Sequence, residues 1–279
     1  MIKIENTEVY GFEAAIRGMR NPMNSWEKSD SRICSTYAVE EGCRFYGRDD
    51  KCSHWKDCDN GILINDAQIA HIGPNDLYLM KRLRNAGSDH RKFMRMITVY
   101  LDITAPLYWW KEFKTYRAGR KNGNDEPGII NEEYLECDIE MNSCSTMHKI
   151  HEKEFTFDDF SHEHLIDDWS EGLDIQEEDY EDCYNGFSYA FIPQDILRVT
   201  INMLNRARDL YLQTKNKKYW WQMIQLLPSS YNQKRTIMMN YEVLANIYGS
   251  RRGHKLDEWN DFCEWIKTLP YSELITGCE

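Results

Sequence analysis

The stretch at residues 99–119, VYLDITAPLYWWKEFKTYRAG, predicts a β-strand that passes directly into a helix. Val99, Leu101 and Ile103 alternate with other residues, and alternation with a period of two is typical of a half-buried strand. Pro106 follows at a position that suits the first turn of a helix, because that turn leaves its backbone N–H groups unpaired and proline has none. We therefore expect a strand that ends at Pro106 and a helix directly after it.

The rest of the chain is expected to place strands early and helices late. The predicted elements are a short strand at residues 2–5 or 7–10 and helices at 11–20, 75–87, 195–214, 231–250 and 256–268. Asn75 or Asp76 can cap the helix that Gly87 ends. Residues 118–141 and 158–182, which are rich in acidic and turn-forming residues, are expected to be insertions. This order favours an α+β or α/β layered domain whose C-terminal third is helical.

Charge and hydropathy argue against two classes of partner. The formal net charge of −12 is wrong for binding long nucleic acids without sequence preference, since that binding needs a basic surface. No stretch approaches the roughly 20 apolar residues of a membrane span, and the charged N-terminal residues lack the apolar run of a signal peptide. We expect a cytoplasmic protein that contacts no membrane.

Four of the nine cysteines, Cys34, Cys43, Cys52 and Cys58, lie close together in the sequence. A zinc knuckle needs ligands two to four residues apart, whereas eight, eight and five residues separate these. We therefore predict reduced thiols and no metal site.

A second informative stretch is residues 226–255, LLPSSYNQKRTIMMNYEVLANIYGSRRGHK, which predicts an amphipathic helix. It carries Asn240, Asn246 and Arg251, polar residues that a helix packed on a core would rarely keep. Asn240 and Arg251 are eleven residues apart and would share a helix face, while Asn246 would point elsewhere. These side chains either face a ligand or are a surface arginine and buried, hydrogen-bonded asparagines.

A third stretch, NSCSTMH at residues 142–148, offers a serine whose role is open. Ser145 could contact a substrate, with His148 or His151 as the base that a serine nucleophile needs. Alternatively the cluster of small polar residues forms a turn or caps a helix.

The first of these stretches resembles the central motif of the flavin-dependent thymidylate synthases. In that family a strand ends at a small residue and proline, and the following helix leads into an Arg-His-Arg signature. The signature falls here on Thr115, Tyr116 and Arg117, so that only its last arginine is kept.

The other two stretches are similar to further blocks of the same family, in the same order. Asn142 and Ser145 match an Asn-x-x-Ser-x-Arg-Tyr element, although Met147 and His148 replace its arginine and tyrosine. Asn240, Asn246 and Arg251 match a segment that begins with Leu-Pro, and His90 resembles the histidine that ends a leucine-rich helix.

The resemblance implies a single domain over residues 1–279, with an antiparallel or mixed sheet packed against helices. It implies an FAD site formed by His90, Arg117, Asn240 and Asn246, and a site for a nucleotide such as dUMP formed by Asn142, Ser145 and Arg251. Ser145 and Arg251 would be the catalytic residues.

The family's reaction is a methyl transfer to C5 of a pyrimidine nucleotide, for which NADPH supplies hydride and a folate supplies the carbon. The resemblance also implies a homo-oligomer, in this family a tetramer. Because the substrate-side residues depart most from the family, we expect an altered substrate. The alternative is a non-catalytic nucleotide-binding or structural protein on the same scaffold.

Overall fold

A computed structural model describes residues 2–35, 62–65, 68–116, 139–167 and 192–277. Its strands and helices, in chain order, are β1 Lys3–Tyr10, α1 Phe12–Arg20, β2 Arg32–Ser35, β3 Ile62–Asn65, β4 Gln68–His71, α2 Pro74–Asn85, β5 Thr98–Pro106, α3 Leu107–Phe113, β6 Glu140–Ser143, α4 Pro193–Thr214, α5 Lys217–Leu226, β7 Asn232–Asn240, α6 Tyr241–Arg251, α7 Asp257–Lys267 and α8 Glu273–Thr276. Arg117, Cys43, Cys52, Cys58 and most of the two predicted insertions lie outside the described residues.

The chain divides into two compact units. Residues 104–111 and 143–234 form the first, here called the helical unit, and residues 2–103, 112–142 and 235–279 form the second, here called the sheet unit. Among the described residues, no helix combines the length and apolarity that crossing a membrane requires.

The sheet unit contains most of a four-stranded sheet in the order β1-β5-β7-β6 and a three-stranded antiparallel sheet in the order β2-β4-β3. The predicted alternation in β5 is confirmed, because Val99, Leu101 and Ile103 are almost completely buried. The prediction of a short strand near the N-terminus is also confirmed, although β1 runs through both predicted positions. Gly11, with a φ of 95°, joins β1 to α1 at a point where any side chain would collide with the carbonyl oxygen of Met96.

The helix predicted over residues 231–250 is only half correct. Residues Asn232–Asn240 form strand β7, and the helix begins afterwards, at Tyr241. The strand shows the period of two expected for one buried face, but two of its buried residues are the polar Gln233 and Arg235. The C-terminal third of the chain is therefore not purely helical, and the prediction that Asn240 and Arg251 share a helix face is wrong, because Asn240 lies before the helix.

The helical unit has its own apolar core beneath α4 and α5. Leu204 and Met223 are fully buried in this core, together with Phe160. The side chain of Asn205 accepts the N–H of Phe155 and donates to its carbonyl oxygen, both at 2.8 Å, so that the chain before α4 is fixed to that helix. The helix predicted at 195–214 is confirmed as α4, whereas α5 is an additional helix.

A buried ion pair fixes the start of α2 in the sheet unit. Arg20 is 4% exposed and Asp76 is 0% exposed, and the arginine Nε donates to the Asp76 Oδ1 at 2.6 Å. Ser29 and the backbone N–H groups of Asp30 and Ser31 donate to the other carboxylate oxygen. The sequence predicted Asp76 as a possible cap of α2, but its carboxylate is used by these other donors and does not cap the helix.

The segment that contains Ser29 and Ser31 also caps α2, through the side chain of Asp30. The helix begins at Pro74, and the carboxylate of Asp30 accepts the N–H groups of Asn75 and Asp76 at 2.9 and 3.1 Å. A residue distant in sequence thus satisfies the first turn of α2.

We expect Asp76→Asn to lower the free energy of unfolding by about 3 kcal/mol, because it leaves the buried Arg20 without a compensating charge. Burial raises the pKa of Asp76, but hydrogen bonds from Ser31, Ser29 and Arg20 outweigh it and hold the pKa below the ordinary 3.8. The stabilisation is therefore complete above pH 3.8 and is lost as the pH falls through the lower pKa of the folded state.

Urea unfolding at a series of pH values from 6 downward measures both effects. Glu264→Ala, which removes an exposed ion pair with Lys267, is the control and should leave the unfolding midpoint unchanged. Equal midpoints for Asp76→Asn and the wild-type protein at pH 6 would contradict the assigned role.

Candidate functional site

The start of α6 determines which way its polar side chains point. Asn240 is in an extended conformation and caps the helix, because its Oδ1 accepts the N–H of Val243 at 3.0 Å. The N–H of Tyr241 donates to the carbonyl oxygen of Ile97 at 3.1 Å, which attaches the first residue of the helix to the segment before β5. Among the described residues, the amide nitrogen of Asn240 makes no hydrogen bond, and this leaves it as a donor for a ligand.

Arg251, the last residue of α6, belongs to a group that we call the Arg251 cluster, with Glu112, Tyr116, His254 and Trp259. Its Nε donates to the hydroxyl of Tyr116, its Nη1 lies 2.9 Å from His254 Nε2, and its Nη2 lies 3.0 Å from Glu112 Oε2. The guanidinium carbon is 4.7 Å from the centre of the Trp259 ring, close enough for a cation–π interaction.

The contacts of Arg251 with Glu112 and His254 are not both simple hydrogen bonds. The Oε2 atom of Glu112 is buried and makes no hydrogen bond within the described part of the chain, so its approach to Arg251 is an ion pair without hydrogen-bond geometry. His254 has N–H donors at both ring nitrogens, from Arg251 and from Leu256, whereas a neutral imidazole accepts only one. One of these two donors therefore lacks an acceptor at His254, and the contact with Glu112 is the one that a ligand atom can replace without the loss of a hydrogen bond.

Tyr116, which occupies the middle position of the Arg-His-Arg signature, is an integral part of the cluster. Burial raises the pKa of its hydroxyl, and the neighbouring Arg251 offsets that rise only in part. The hydroxyl therefore stays protonated at neutral pH and keeps a proton that it can donate.

The other side of α6 carries a second group, the Glu242 cluster, which contains Glu242, Asn246, Arg91 and Arg95. Arg91 Nε donates to Glu242 Oε1 at 3.0 Å, and its Nη2 donates to Asn246 Oδ1 at 3.0 Å. Arg95 Nε donates to the second carboxylate oxygen of Glu242. Asn246 lies one helical turn beyond Glu242, so α6 presents two acceptors to the same arginine.

The remaining predicted site residues take less specific positions. His90 is exposed and directly precedes Arg91, and Asn142 is exposed in β6. Ser145 lies in the helical unit, where its hydroxyl oxygen accepts the N–H groups of Met147 and His148 at 3.2 and 2.9 Å. That arrangement is a serine turn.

The structure thus brings the predicted residues into two groups, neither of which contains all of them. Arg251 is separated along α6 from Asn246, and hydrogen bonds link neither of them to Asn240. Glu112, Glu242 and Arg95 were not predicted as site residues from the sequence. The spacing of four residues between Glu242 and Asn246 could have indicated that both side chains lie on one face of a helix. The arginines that they contact could not be predicted, because they are about 150 residues away in the sequence.

Known proteins resemble this chain in fold only. Neither models of protein families nor curated protein sequences give a match. A crystal structure of Thymidylate Synthase X (ThyX) from Helicobacter pylori with FAD and dUMP is similar with a TM-score of 0.53 and 14% identity, over 99% of this chain and 97% of that chain. A second structure of that enzyme with FAD and dUMP gives 0.52 and 13%, over 98% and 97%. The chain therefore has a ThyX-like fold of mixed helices and sheet.

We expect Asn240→Ala to lower the free energy of unfolding by about 1 kcal/mol, because the first turn of α6 loses its cap. Asn240→Ser should recover most of this loss, since a serine oxygen can also accept the Val243 N–H. Thermal or urea unfolding of the three proteins measures the difference. A serine variant as unstable as the alanine variant would show that Asn240 does not stabilise the protein through its cap.

Proposed function

We propose that the protein is an FAD-dependent enzyme of the thymidylate synthase type that modifies C5 of a pyrimidine nucleotide, dUMP or an analogue. The observation that carries the proposal is the fold match over 99% of the chain to a ThyX structure that contains FAD and dUMP. Two clusters of polar side chains on α6 support it, since residues matched to the family's cofactor and nucleotide positions lie within them.

The side-chain amides of Asn240, which caps α6, and of Asn246, within α6, are suited to contact a flavin. The isoalloxazine ring has carbonyl oxygens and a ring nitrogen along one edge, and these accept hydrogen bonds from amide N–H groups. Asn240 has an amide nitrogen available for such a bond, and Asn246 is held in place by Arg91. We propose these two asparagines as cofactor ligands, together with His90 and Arg117.

Arg251 is proposed to bind and polarise the nucleotide. Its guanidinium rests on the fully buried Trp259, which shields one face from water, and its side chain remains 19% exposed. Glu112 is 44% exposed and can turn away, so a carbonyl or phosphate oxygen of the nucleotide can take its place beside Arg251. Hydrogen bonds from Arg251 would stabilise negative charge that develops on the pyrimidine.

Ser145 and Asn142 are proposed as substrate contacts. The oxygen of Ser145 is already occupied by two backbone N–H groups, but its hydroxyl proton can still be donated to the nucleotide. Neither His148 nor His151 forms a hydrogen bond to this hydroxyl through its side chain within the described residues, so we propose that Ser145 positions the substrate and is not an activated nucleophile.

A bound flavin would supply the hydride chemistry, with NADPH as the reductant and a folate as the one-carbon donor. We propose that the protein works as a homo-oligomer, a tetramer as in the family, in which residues from more than one subunit complete each site.

A second candidate is a nucleotide-binding or structural protein without catalysis. The specific observation in its favour is that Tyr116, at a signature position of the family, bonds to Arg251 within the protein. In that case Arg251 would stabilise the end of α6 and have no ligand.

We expect the purified protein to show flavin absorbance after incubation with FAD and desalting. Asn246→Ala should weaken FAD binding about tenfold, which corresponds to about 1.4 kcal/mol for a lost hydrogen bond and a less well-placed Arg91. Absorbance spectroscopy and fluorescence titration measure the retained flavin.

Asn202→Ala is the matched control, because Asn202 is exposed on α4 and belongs to neither cluster. It should bind FAD like the wild-type protein. A wild-type protein that is colourless after incubation with FAD at high concentration and desalting would overturn the proposal and favour the second candidate.

We expect Arg251→Ala to weaken dUMP binding about tenfold or more and to leave FAD binding within twofold of wild type, because only the nucleotide site loses its cation. Isothermal titration calorimetry with each ligand separates the two effects. Arg206→Ala removes the same charge from the exposed side of α4 and should change neither affinity. Unaltered dUMP affinity in Arg251→Ala would remove this residue from the nucleotide site.

A further inference from the structure

A cavity of about 390 Å³ lies on the sheet unit, where the neighbouring strands β1 and β5 both contribute to its walls. Side chains alternate between the two faces of a strand, and Val9, Val99 and Leu101 are buried on the face that packs on the core. The cavity belongs to the opposite face. Its lining residues are Glu8, Tyr10, Gly11, Thr98 and Tyr100. The clusters on α6 contribute nothing to it, so it is separate from the candidate site described above.

Two tyrosine rings stand at a steep angle to each other beside this cavity. The ring centres of Tyr10 and Tyr100 are 6.0 Å apart, with an angle of 75° between the ring planes. The two residues are 39% and 40% exposed, so a solute can reach them. The face of an aromatic ring attracts cations, because its π-electrons give it partial negative charge. Since both rings line one cavity, a cation held there can contact more than one of them.

Glu8 adds a negative charge that no cation of the described residues balances. Its Oε2 accepts the hydroxyl of Tyr10 at 2.8 Å, which holds the carboxylate next to that ring. It forms no ion pair within the part of the chain that the structure describes, whereas Glu5 on the same strand pairs with Lys3 at 2.8 Å. The described lining of the cavity includes no lysine or arginine. A cation is therefore favoured there, on a protein whose net charge is −12.

A role in stabilising the sheet explains the tyrosines but not the carboxylate. An aromatic pair on neighbouring strands stabilises a sheet, and the contact between Tyr10 and Tyr100 has that effect. Such a pair needs no acid beside it, because water can accept the proton of an exposed hydroxyl. The combination of Glu8 with two exposed ring faces and a cavity is instead suited to recognise an organic cation.

We propose that Glu8, Tyr10 and Tyr100 form a binding site for a trimethylammonium group, such as choline or trimethyllysine carries. The charge of this group is spread over its methyl groups, so it gives up water more readily than the compact ammonium of lysine does and makes closer contact with aromatic rings. It has no N–H to donate, and Glu8 therefore attracts it through charge alone. The group is smaller than the cavity of about 390 Å³. This inference does not depend on the proposed function.

Titration of the full-length protein with choline at low ionic strength tests the site, with saturation-transfer NMR of the N-methyl protons as the readout. We expect a Kd on the order of 1 mM, since the site is open and its contacts are few. Glu8→Gln should weaken binding about fivefold, because it removes the charge and keeps the shape. Tyr100→Leu should weaken it by about the same factor, because leucine is apolar but has no ring face.

Each variant has a matched control elsewhere on the protein. Glu154 and Tyr78 are both exposed, and neither lines the cavity. Glu154→Gln changes the net charge as Glu8→Gln does, and Tyr78→Leu removes an exposed ring as Tyr100→Leu does. Both controls should bind choline like the wild-type protein. The uncharged analogue in which carbon replaces the nitrogen of choline is the control ligand, and it should bind the wild-type protein about tenfold more weakly or not at all.

The result that supports the inference is weaker choline binding in Glu8→Gln and Tyr100→Leu together with wild-type binding in their controls. Equal weakening in Glu154→Gln would mean that only general charge matters, and equal affinity for the uncharged analogue would mean that only apolar contact matters. Either result overturns the inference. A lower unfolding midpoint of Tyr100→Leu with unchanged choline binding also overturns it, because the tyrosines would then only stabilise the sheet. If Tyr100→Leu does not fold, Glu8→Gln and the uncharged analogue decide.

A second titration identifies the source of the trimethylammonium group. Tighter binding of choline than of trimethyllysine with blocked backbone termini identifies a small solute, the reverse identifies a modified lysine side chain, and binding of neither overturns the inference. Failure of the inference can be told from failure of the proposed function. Flavin binding in a protein that does not bind choline rejects only the cation site, whereas choline binding that depends on Glu8 in a protein that takes up no flavin rejects only the proposed enzyme.

Discussion

The residue at which α6 begins controls every polar contact that this helix makes. Asn240 ends β7 in an extended conformation and caps the helix, and Tyr241 bonds to the carbonyl oxygen of Ile97. A start one residue later would rotate the following side chains by about 100° and move Glu242 away from its arginines. The cap therefore fixes the directions of Asn246 and Arg251 as well as the stability of the helix.

Buried carboxylates organise the sheet unit at two places, with different consequences for the surface. Asp76 meets one arginine and several neutral donors, and the resulting network is closed and neutral. Glu242 meets two arginines that remain partly exposed. The same requirement, that a buried charge be compensated, produces a junction inside the protein in the first case and an ion-pair network that reaches the surface in the second.

The sequence predicted those elements whose burial follows a regular apolar pattern. The alternation in β5 and the helix after Pro106 were both recognisable, because the buried positions there carry apolar side chains. In β7 the alternation was hidden, since Gln233 and Arg235 occupy buried positions and look like surface residues in the sequence. An apparent helix over residues 231–250 resulted.

The candidate site was predictable only where its residues lie in one continuous segment. Asn246 and Arg251 could be identified together because both belong to α6. Their partners Arg91 and Glu112 come from other parts of the chain, and only folding shows that they meet. Asp76 was mistaken for a helix cap for the same reason, since the true cap, Asp30, lies 45 residues before Asn75.

The protein partners of Arg251 bear directly on what this arginine can bind. It contacts Tyr116, His254 and Glu112, one through each of its three nitrogen atoms, so that a ligand atom at any of these nitrogens competes with a protein partner. Glu112 is the group whose replacement costs least, because its Oε2 forms an ion pair without a hydrogen bond and its side chain is the more exposed partner of that pair. A neutral ligand atom would leave the buried oxygen of Glu112 without its cation, whereas an anionic ligand would repel Glu112 towards solvent and take over the charge of Arg251. The cluster therefore favours anionic ligands over neutral ones, and a nucleotide bearing a phosphate, or a pyrimidine that develops negative charge during reaction, has this property.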